Sequence, residues 1–234
     1  MHKLIHTLAN IIYPRRCPGC DMILNSDDMF LCEKCIKRLH FYKERTCYKC
    51  GRPIKSRYEV VCAECASGKF CFDEAVAPFP YTEMIKEALV RFKYGHRPEY
   101  ASFFAACIWS YAKKRIEIWK PQMIISIPVH KDRLNKRGYN QAALIAEKLS
   151  QFSKIPFEEE VIIRHKKTVA QKELGSTERR KNMAEAFSYI YQGRLPERIL
   201  AVDDIFTTGS TVDVTAELLK RNGAASVYIV TVAN

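Results

Sequence analysis

Residues 199–211 read Ile-Leu-Ala-Val-Asp-Asp-Ile-Phe-Thr-Thr-Gly-Ser-Thr. The first four residues form a short apolar run, which predicts a buried parallel strand ending at Asp203. Beyond this stretch, apolar residues recur at helical spacing, and Gly223 suits the position just after a helix C-terminus. We therefore predict a strand, an acidic pair, a hydroxyl-rich turn (residues 207–211) and a helix, as in an α/β fold.

The hydroxyl-rich turn has the chemistry of a phosphate site. The free N–H groups and the dipole at a helix N-terminus attract a phosphate, and Gly209 lets the backbone approach a ligand closely. Asp203 and Asp204 lie where carboxylates would accept hydrogen bonds from the 2′- and 3′-hydroxyls of a ribose. The alternative is an ordinary turn capped by one of its own hydroxyls. The residues that offer hydroxyls are Thr207, Thr208, Ser210 and Thr211.

Length and charge set the class of protein. A chain of 234 residues leaves room for one α/β domain and a small extra module. The formal net charge of +12 favours polyanionic partners such as nucleic acid, phosphates or an acidic membrane surface. The apolar runs are too short for a membrane span. Residues 1–12 predict an amphipathic helix rather than a signal peptide, so we expect a cytoplasmic protein.

The N-terminal part of the chain contains four Cys-x-x-Cys pairs, and eleven residues separate each pair from the next. Each such turn points two thiolates at one metal, and two turns complete a tetrahedral zinc site. The sequence therefore predicts two structural zinc sites. The predicted ligands are Cys17, Cys20, Cys32, Cys35, Cys47, Cys50, Cys62 and Cys65.

The regular spacing leaves the pairing open. Sequential pairing puts the first four cysteines on one zinc ion and the last four on the other, whereas interleaved pairing fits the spacing equally well. Thiol redox chemistry and an iron–sulfur cluster are the competing interpretations. Residues 1–71 also carry 13 Lys and Arg against 7 Asp and Glu. This module could therefore contact nucleic acid or a partner protein, or serve only to buttress the fold. We place the domain boundary after residue 71, with residues 72–234 as the α/β domain.

A second anion loop is predicted after the strand 123–129. Residues 131–137 hold four Lys or Arg against one Asp, and a helix follows them. A basic loop between a strand and a helix is a usual anion site in an open α/β sheet, although a solvated basic turn is the alternative. Lys93, at the end of a predicted helix, is an additional candidate. The residues assigned to this loop are Arg137, Gly138, Asn140 and Gln141.

Residues 165–182 form a long, strongly polar segment after the predicted strand 161–164. Loops of this length inside a compact domain tend to be lids or disordered. A cationic lid suits an anionic ligand, because positive charge stabilises the negative charge that grows on a leaving group.

The 199–211 pattern resembles the phosphoribosyl-pyrophosphate (PRPP) loop of type I phosphoribosyltransferases. That resemblance implies a type I phosphoribosyltransferase-like parallel sheet, in which Asp203 and Asp204 hold the ribose and residues 207–211 hold the 5′-phosphate. It also implies that Mg²⁺ accompanies PRPP, that the 137–141 loop holds the pyrophosphate and that a flexible loop covers it. The catalytic residues stay unknown, with Asp203 and Asp204 as the best candidates.

The whole chain is similar to the ComF family. The resemblance is carried by the cysteine-rich ribbon, by Arg-Gly-Tyr-Asn-Gln at 137–141, by the PRPP loop and by scattered residues between them. Those scattered residues, which include the flexible-loop positions, are Arg164, Thr168, Gln171, Leu174, Arg179, Asn182 and Phe187.

The family resemblance implies a role in natural transformation, with handling of incoming single-stranded DNA. Three functions therefore stay open. The first is a DNA-uptake factor that binds PRPP or a related ribose phosphate. The second is an active phosphoribosyltransferase with an unknown acceptor. The third alternative is a zinc-ribbon scaffold that docks a helicase or the uptake machinery. The basic segments 131–137 and 164–181 hold 11 of the 38 Lys and Arg, which supports DNA contact.

Overall fold

The computed structural model describes residues 14–24, 29–54, 56, 58–165 and 185–234. Its helices, in chain order, are α1 (Glu33–Arg38), α2 (Ala63–Ala66), α3 (Glu83–Tyr94), α4 (Tyr100–Trp119), α5 (Lys131–Arg137), α6 (Gln141–Ser153) and α7 (Ser210–Arg221). Its strands are β1 (Glu74–Val76), β2 (Met123–Ser126), β3 (Phe157–Glu158), β4 (Ile162–Arg164), β5 (Phe187–Tyr189), β6 (Arg198–Ile205) and β7 (Ser226–Ala233). None of these helices is long and apolar enough to cross a membrane.

The main sheet has five strands in the order β1-β7-β6-β2-β3, and every neighbouring pair is parallel. The α/β class and the parallel sheet that the sequence predicts are therefore confirmed. From β2 the chain moves outward to β3, whereas from β6 it moves the other way to β7. The junction of β2 and β6 is thus a topological switch point, where open α/β sheets bind ligands at the carboxyl ends of the strands.

β6 forms as predicted because its apolar run is buried on both faces. The side chains from Ile199 to Val202 are fully buried. The strand is longer than predicted, since it continues through the acidic pair to Ile205. Its neighbour β7 extends to Ala233 and keeps pairing with it, with Asp203 opposite Thr231 and Ile205 opposite Ala233. The acidic pair therefore occupies the carboxyl end of a central strand.

Layers of side chains cover both faces of the sheet. On one face, α3, α4 and α6 share a core with alternate residues of β6 and β7, and Cys17 and Cys35 belong to that core. On the other face α7 packs, together with Phe70, Phe72 and Cys47. Each half of the cysteine module is therefore joined to one face of the sheet.

Two local predictions, for residues 123–129 and 131–137, differ from the structure. Residues 131–137 form the helix α5 rather than a loop, because His130 caps it: the His130 ring Nδ1 accepts the Asp132 N–H at 3.2 Å. The strand predicted at 123–129 ends at Ser126. The predicted strand at 161–164 is present as β4, but it pairs with β5 in a separate two-stranded sheet. The amphipathic helix predicted for residues 1–12 lies outside the described residues.

Candidate functional site

The eight predicted ligand cysteines lie in two groups of four. Within each group all four Sγ atoms lie within 4.8 Å of one another. The groups follow chain order, so the sequential pairing is the one observed. We call them the first cysteine cluster (Cys17, Cys20, Cys32 and Cys35) and the second cysteine cluster (Cys47, Cys50, Cys62 and Cys65).

The sulfur geometry fits zinc. Zn–S bonds of about 2.3 Å place the sulfurs of a tetrahedron about 3.8 Å apart. The Cys32 Sγ lies 3.8 Å from that of Cys17 and 3.7 Å from that of Cys20. In the second cluster the Sγ atoms of Cys50 and Cys62 are 3.7 Å apart. Both clusters therefore have the donor set and spacing of a closed structural site.

Backbone N–H groups donate hydrogen bonds to one sulfur of each cluster and so favour its thiolate form. The Cys32 N–H donates to Cys17 Sγ at 3.4 Å, and the Cys62 N–H donates to Cys47 Sγ at 3.2 Å. The backbone N–H of Cys35 lowers the pKa of the Cys32 thiol to about 7. Burial instead raises the pKa of Cys35. Four thiolates in such a place need a metal to neutralise them, which couples metal binding to folding.

The hydroxyl-rich turn lies at the N-terminus of α7, at the carboxyl end of β6. Gly209 precedes the helix with φ +78°, a conformation that glycine adopts without strain. The Thr208 and Ser210 hydroxyls are 2.9 Å apart, and the side chains of both residues are exposed. Exposed hydroxyls beside the first amides of a twelve-residue helix form a cradle that can take a phosphate.

The two acids beside this turn are held in different ways. Asp204 forms an ion pair with Lys93 of α3, with 2.8 Å between Oδ2 and Nζ. Burial, and then the negative charge of Asp204, raise the pKa of Asp203 to about 7. The Asp204 amide, which donates to Asp203 Oδ1 at 2.8 Å, and the charges of Lys93 and Arg164 oppose that shift. One carboxylate is therefore neutralised by a lysine, while the other can hold a proton near neutral pH.

Substituting Lys93 tests this electrostatic arrangement. Because the Lys93 charge lowers the pKa of Asp203, we expect Lys93→Met to raise that pKa above 7, by about half a unit to one unit. Titration of the carboxyl ¹³C signal by NMR would measure the shift. Lys86→Met is the matched control, because Lys86 lies on the same helix but contacts Glu83 at 3.3 Å. An Asp203 midpoint that is identical in wild type and Lys93→Met would contradict the arrangement.

The residues assigned to the second anion loop meet at the carboxyl end of β2. The buried Arg137 donates to Gln141 Oε1 at 2.7 Å and to the Tyr94 hydroxyl at 2.9 Å. Gly138 ends α5 with φ +81°. Asn140 caps α6 by accepting the Ala142 N–H at 3.1 Å. These side chains tie α3, α5 and α6 together, and their part in binding an anion stays a prediction.

Of the flexible-loop candidates, only Arg164 is among the described residues. Its guanidinium lies 5.2 Å from the Phe187 ring centroid. Burial and the charge of Arg133 lower its pKa, whereas the charge of Asp203 raises it. Arg164 therefore directs positive charge toward the acidic pair. The predictions for Thr168, Gln171, Arg179 and Asn182 lie outside the described residues.

An open cleft of about 340 Å³ lies between the end of β2 and the β4–β5 sheet. Arg164 lines it together with Lys131, Asn140 and a pair of glutamates, Glu159 and Glu160. Arg164 connects this cleft with the acidic pair, because its positive charge also acts on Asp203. Two further contacts of the hydroxyl-rich turn have no signal in the sequence. These come from Phe70 and Phe206, which lie against Gly209.

Comparisons with known proteins find matches to both parts of the chain. Residues 8–66 match the family model described as a double zinc ribbon domain. A purine phosphoribosyltransferase from Pyrococcus horikoshii aligns with 55% of this chain and 72% of its own, at 19% identity and a TM-score of 0.37. A hypoxanthine phosphoribosyltransferase from Trypanosoma cruzi aligns with 57% of this chain and 64% of its own, at 17% identity and the same TM-score.

The sequence relatives cover nearly the whole chain. Competence protein F of Haemophilus influenzae is 30% identical over 217 residues, which are 86% of this chain and 95% of that protein. DNA utilization protein YhgH of Escherichia coli is 29% identical, across 92% and 95% of the two chains. Competence protein ComFC of Bacillus subtilis is 28% identical, across 97% and 93%. With its two four-cysteine clusters and its acidic pair at the sheet's switch point, the chain belongs to the ComF family.

Proposed function

We propose that this protein acts in DNA uptake for natural transformation, as a cytoplasmic factor that handles single-stranded DNA and binds PRPP with Mg²⁺. The names of the relatives support the biological role, since two are competence proteins and one is a DNA utilization protein. The observation that carries the ligand assignment is the acidic pair followed by the hydroxyl-rich turn at the switch point. We assign the zinc module to residues 1–71 and the PRPP site to residues 72–234.

Each part of PRPP has a matching group at the site. The carboxylates of Asp203 and Asp204 accept hydrogen bonds from the ribose diol. The amides and hydroxyls of residues 207–211 take the 5′-phosphate. The pyrophosphate, with Mg²⁺ bound to it, falls to the cations near the end of β2. Arg137, Gly138, Asn140 and Gln141 frame that end, and Arg164 faces it from β4.

A second candidate is catalysis of phosphoribosyl transfer, which would make the protein a pentosyltransferase. The raised pKa of Asp203, about 7, favours it because such a carboxyl group can exchange a proton at neutral pH. Bond breaking between ribose C1 and pyrophosphate leaves an oxocarbenium-like sugar, and nearby cations stabilise the charge on the leaving group. Acceptor-dependent release of pyrophosphate from PRPP, measured across a panel of nucleobases, would support this activity. Release that stays at the uncatalysed rate with every base would exclude it for those acceptors.

The DNA assignment predicts strongly salt-dependent binding of a single-stranded oligonucleotide. Lys131 and Lys136 are both exposed on α5, and Lys131 lines the cleft. Replacing both with Gln removes two phosphate contacts, so the salt slope should fall by about 1.4 and the affinity severalfold. Fluorescence anisotropy at several salt concentrations measures both quantities.

Lys113→Gln with Lys114→Gln is the matched control, because these two exposed lysines lie on α4 and the substitutions remove the same charge. The control should lose little affinity and keep the wild-type slope. Equal losses in the two double variants would mean that only net charge matters, and this would contradict a DNA path across α5.

A further inference from the structure

The aromatic rings of Phe70 and Phe206 pack against the backbone of the hydroxyl-rich turn at Gly209. A Cβ atom on Gly209 would lie 2.7 Å from Phe70 Cε1 and 2.8 Å from Phe206 Cζ, so the rings already touch the Gly209 backbone. Phe70 also stacks on Phe72, with 5.0 Å between the ring centroids, and meets Phe206 edge-on at 6.1 Å. Phe70 and Phe72 are buried, although Phe70 follows the last cysteine of the second cluster by only five residues.

A second connection runs through Arg52, which follows Cys50 in the same cluster. Its guanidinium lies 5.6 Å from the Phe206 ring centroid. It also pairs with Glu64, which lies between the ligands Cys62 and Cys65. Arg52 therefore links both Cys-x-x-Cys pairs of the second cluster to Phe206, whose ring lies against Gly209.

Hydrogen bonds fix the same segment to α7. The Lys49 ammonium donates to the Phe70 carbonyl at 2.8 Å. The Cys71 N–H donates to the carboxylate of Asp213, a buried residue in the first turn of α7. The position of Phe70 is thus set from one side by the second cluster and from the other by α7.

The first cysteine cluster makes different contacts. Asp21, next to Cys20, accepts hydrogen bonds from Arg97 at 3.1 and 3.3 Å and from the Tyr100 hydroxyl at 2.6 Å. Arg91 donates to the Gly19 carbonyl at 3.0 Å. These partners belong to α3, α4 and the connection between them, on the opposite face of the sheet.

We infer that the second cysteine cluster positions the hydroxyl-rich turn through Phe70 and Arg52, whereas the first cluster does not. Loss of metal from the second cluster frees Phe70, Arg52 and Phe206, and Gly209 then loses the surface that holds its backbone in place. The inference rests on the proposed function for the identity of the ligand that the turn receives. Phe70 and Arg52 are positioning residues, since they act on the turn from beneath.

Hydrogen exchange followed by mass spectrometry tests the inference without any ligand. Cys32→Ser and Cys62→Ser disable equivalent ligands in the first and second clusters. In Cys62→Ser we expect exchange in residues 206–213 to rise about tenfold or more, as aromatic and ion-pair contacts are lost together. In Cys32→Ser the exchange of residues 206–213 should stay near the wild-type rate. Protection of the central strand segment 227–232 in both variants shows that the sheet is folded.

A milder pair of variants covers the case in which a cysteine substitution prevents folding. Phe70→Leu should raise exchange in residues 206–213 about two- to tenfold. Phe30→Leu is the matched control, because Phe30 lies two residues before Cys32 and its ring centroid is 6.4 Å from that of Phe103. Wild-type exchange of residues 206–213 in Phe70→Leu, or an equal rise in the two leucine variants, would overturn the inference. Hydrogen exchange is measured without PRPP, so either result bears on the inference alone. A failure to bind PRPP would count only against the proposed function.

Discussion

Removing zinc from this protein is expected to lower its thermal midpoint by more than about 10 °C and to expose both cysteine clusters. Each cluster brings four thiols together, and Cys17 and Cys47 are fully buried. Such sites fold with their metal, and the binding free energy of a structural zinc ion is about 10 kcal/mol or more. For a chain of this size each kcal/mol lost corresponds to about 2–4 °C. Both faces of the sheet share a core with a cluster, so the loss should reach the whole fold.

Thermal melting with and without a strong chelator measures this effect, with zinc counted by mass spectrometry. Wild type should hold two zinc ions per chain, and Cys20→Ser should hold one, since it breaks one of the two four-cysteine sets. Cys71→Ser is the control, because Cys71 is in neither set, and it should keep both ions. A chelated protein that melts at the holoprotein's temperature would show that the clusters are not structural zinc sites.

Asp203→Asn is expected to weaken PRPP binding and, at pH 8, to stabilise the fold. The pKa of Asp203 is raised to about 7, chiefly by burial, whereas an unfolded Asp titrates near about 3.9. The stability that this group contributes is therefore complete below about pH 4 and is lost as the pH rises through about 7. Asn has the same shape and carries no charge, so it avoids this loss. We expect about 2 kcal/mol of added stability at pH 8, which corresponds to about 4–8 °C.

The comparison is made by thermal melting at pH 6 and pH 8, with PRPP affinity measured on the same samples. The stabilisation should be smaller at pH 6, where Asp203 is already largely protonated. Asp132→Asn is a suitable control, because Asp132 is exposed on α5 and should change neither quantity appreciably. A variant less stable than wild type at pH 8 would contradict the raised pKa.

The sequence predicted the elements whose pattern is local. The run 199–202 predicted a buried strand, and the turn that follows it predicted the start of a helix, because apolar period and hydroxyl content belong to neighbouring residues. The eight cysteines predicted two zinc sites because each Cys-x-x-Cys pair also lies within a few neighbouring residues. Their even spacing could not decide between sequential and interleaved pairing, since that choice depends on how the turns pack in three dimensions.

The remaining features depend on contacts between distant segments. β6 continues past the acidic pair because β7 extends alongside it. α5 has no apolar stripe, and its sequence signals lie at its ends, in the capping His130 and in Gly138. The ion pair of Lys93 with Asp204 joins residues 111 positions apart, and the contact of Phe70 with Gly209 spans 139 positions. Periodicity cannot report such contacts, so the sequence supplied the chemistry of the site but not its supports.

The measurement that bears most directly on the central claim is a calorimetric titration of PRPP with Mg²⁺ into the zinc-loaded protein. A working ribose-phosphate site predicts saturable binding of one PRPP per chain. It also predicts that Asp203→Asn with Asp204→Asn removes this binding while the zinc content stays at two per chain. The contrary result is an absence of binding in wild type, or an affinity unchanged in the double variant. Either outcome would mean that the acidic pair and the hydroxyl-rich turn do not form a PRPP site.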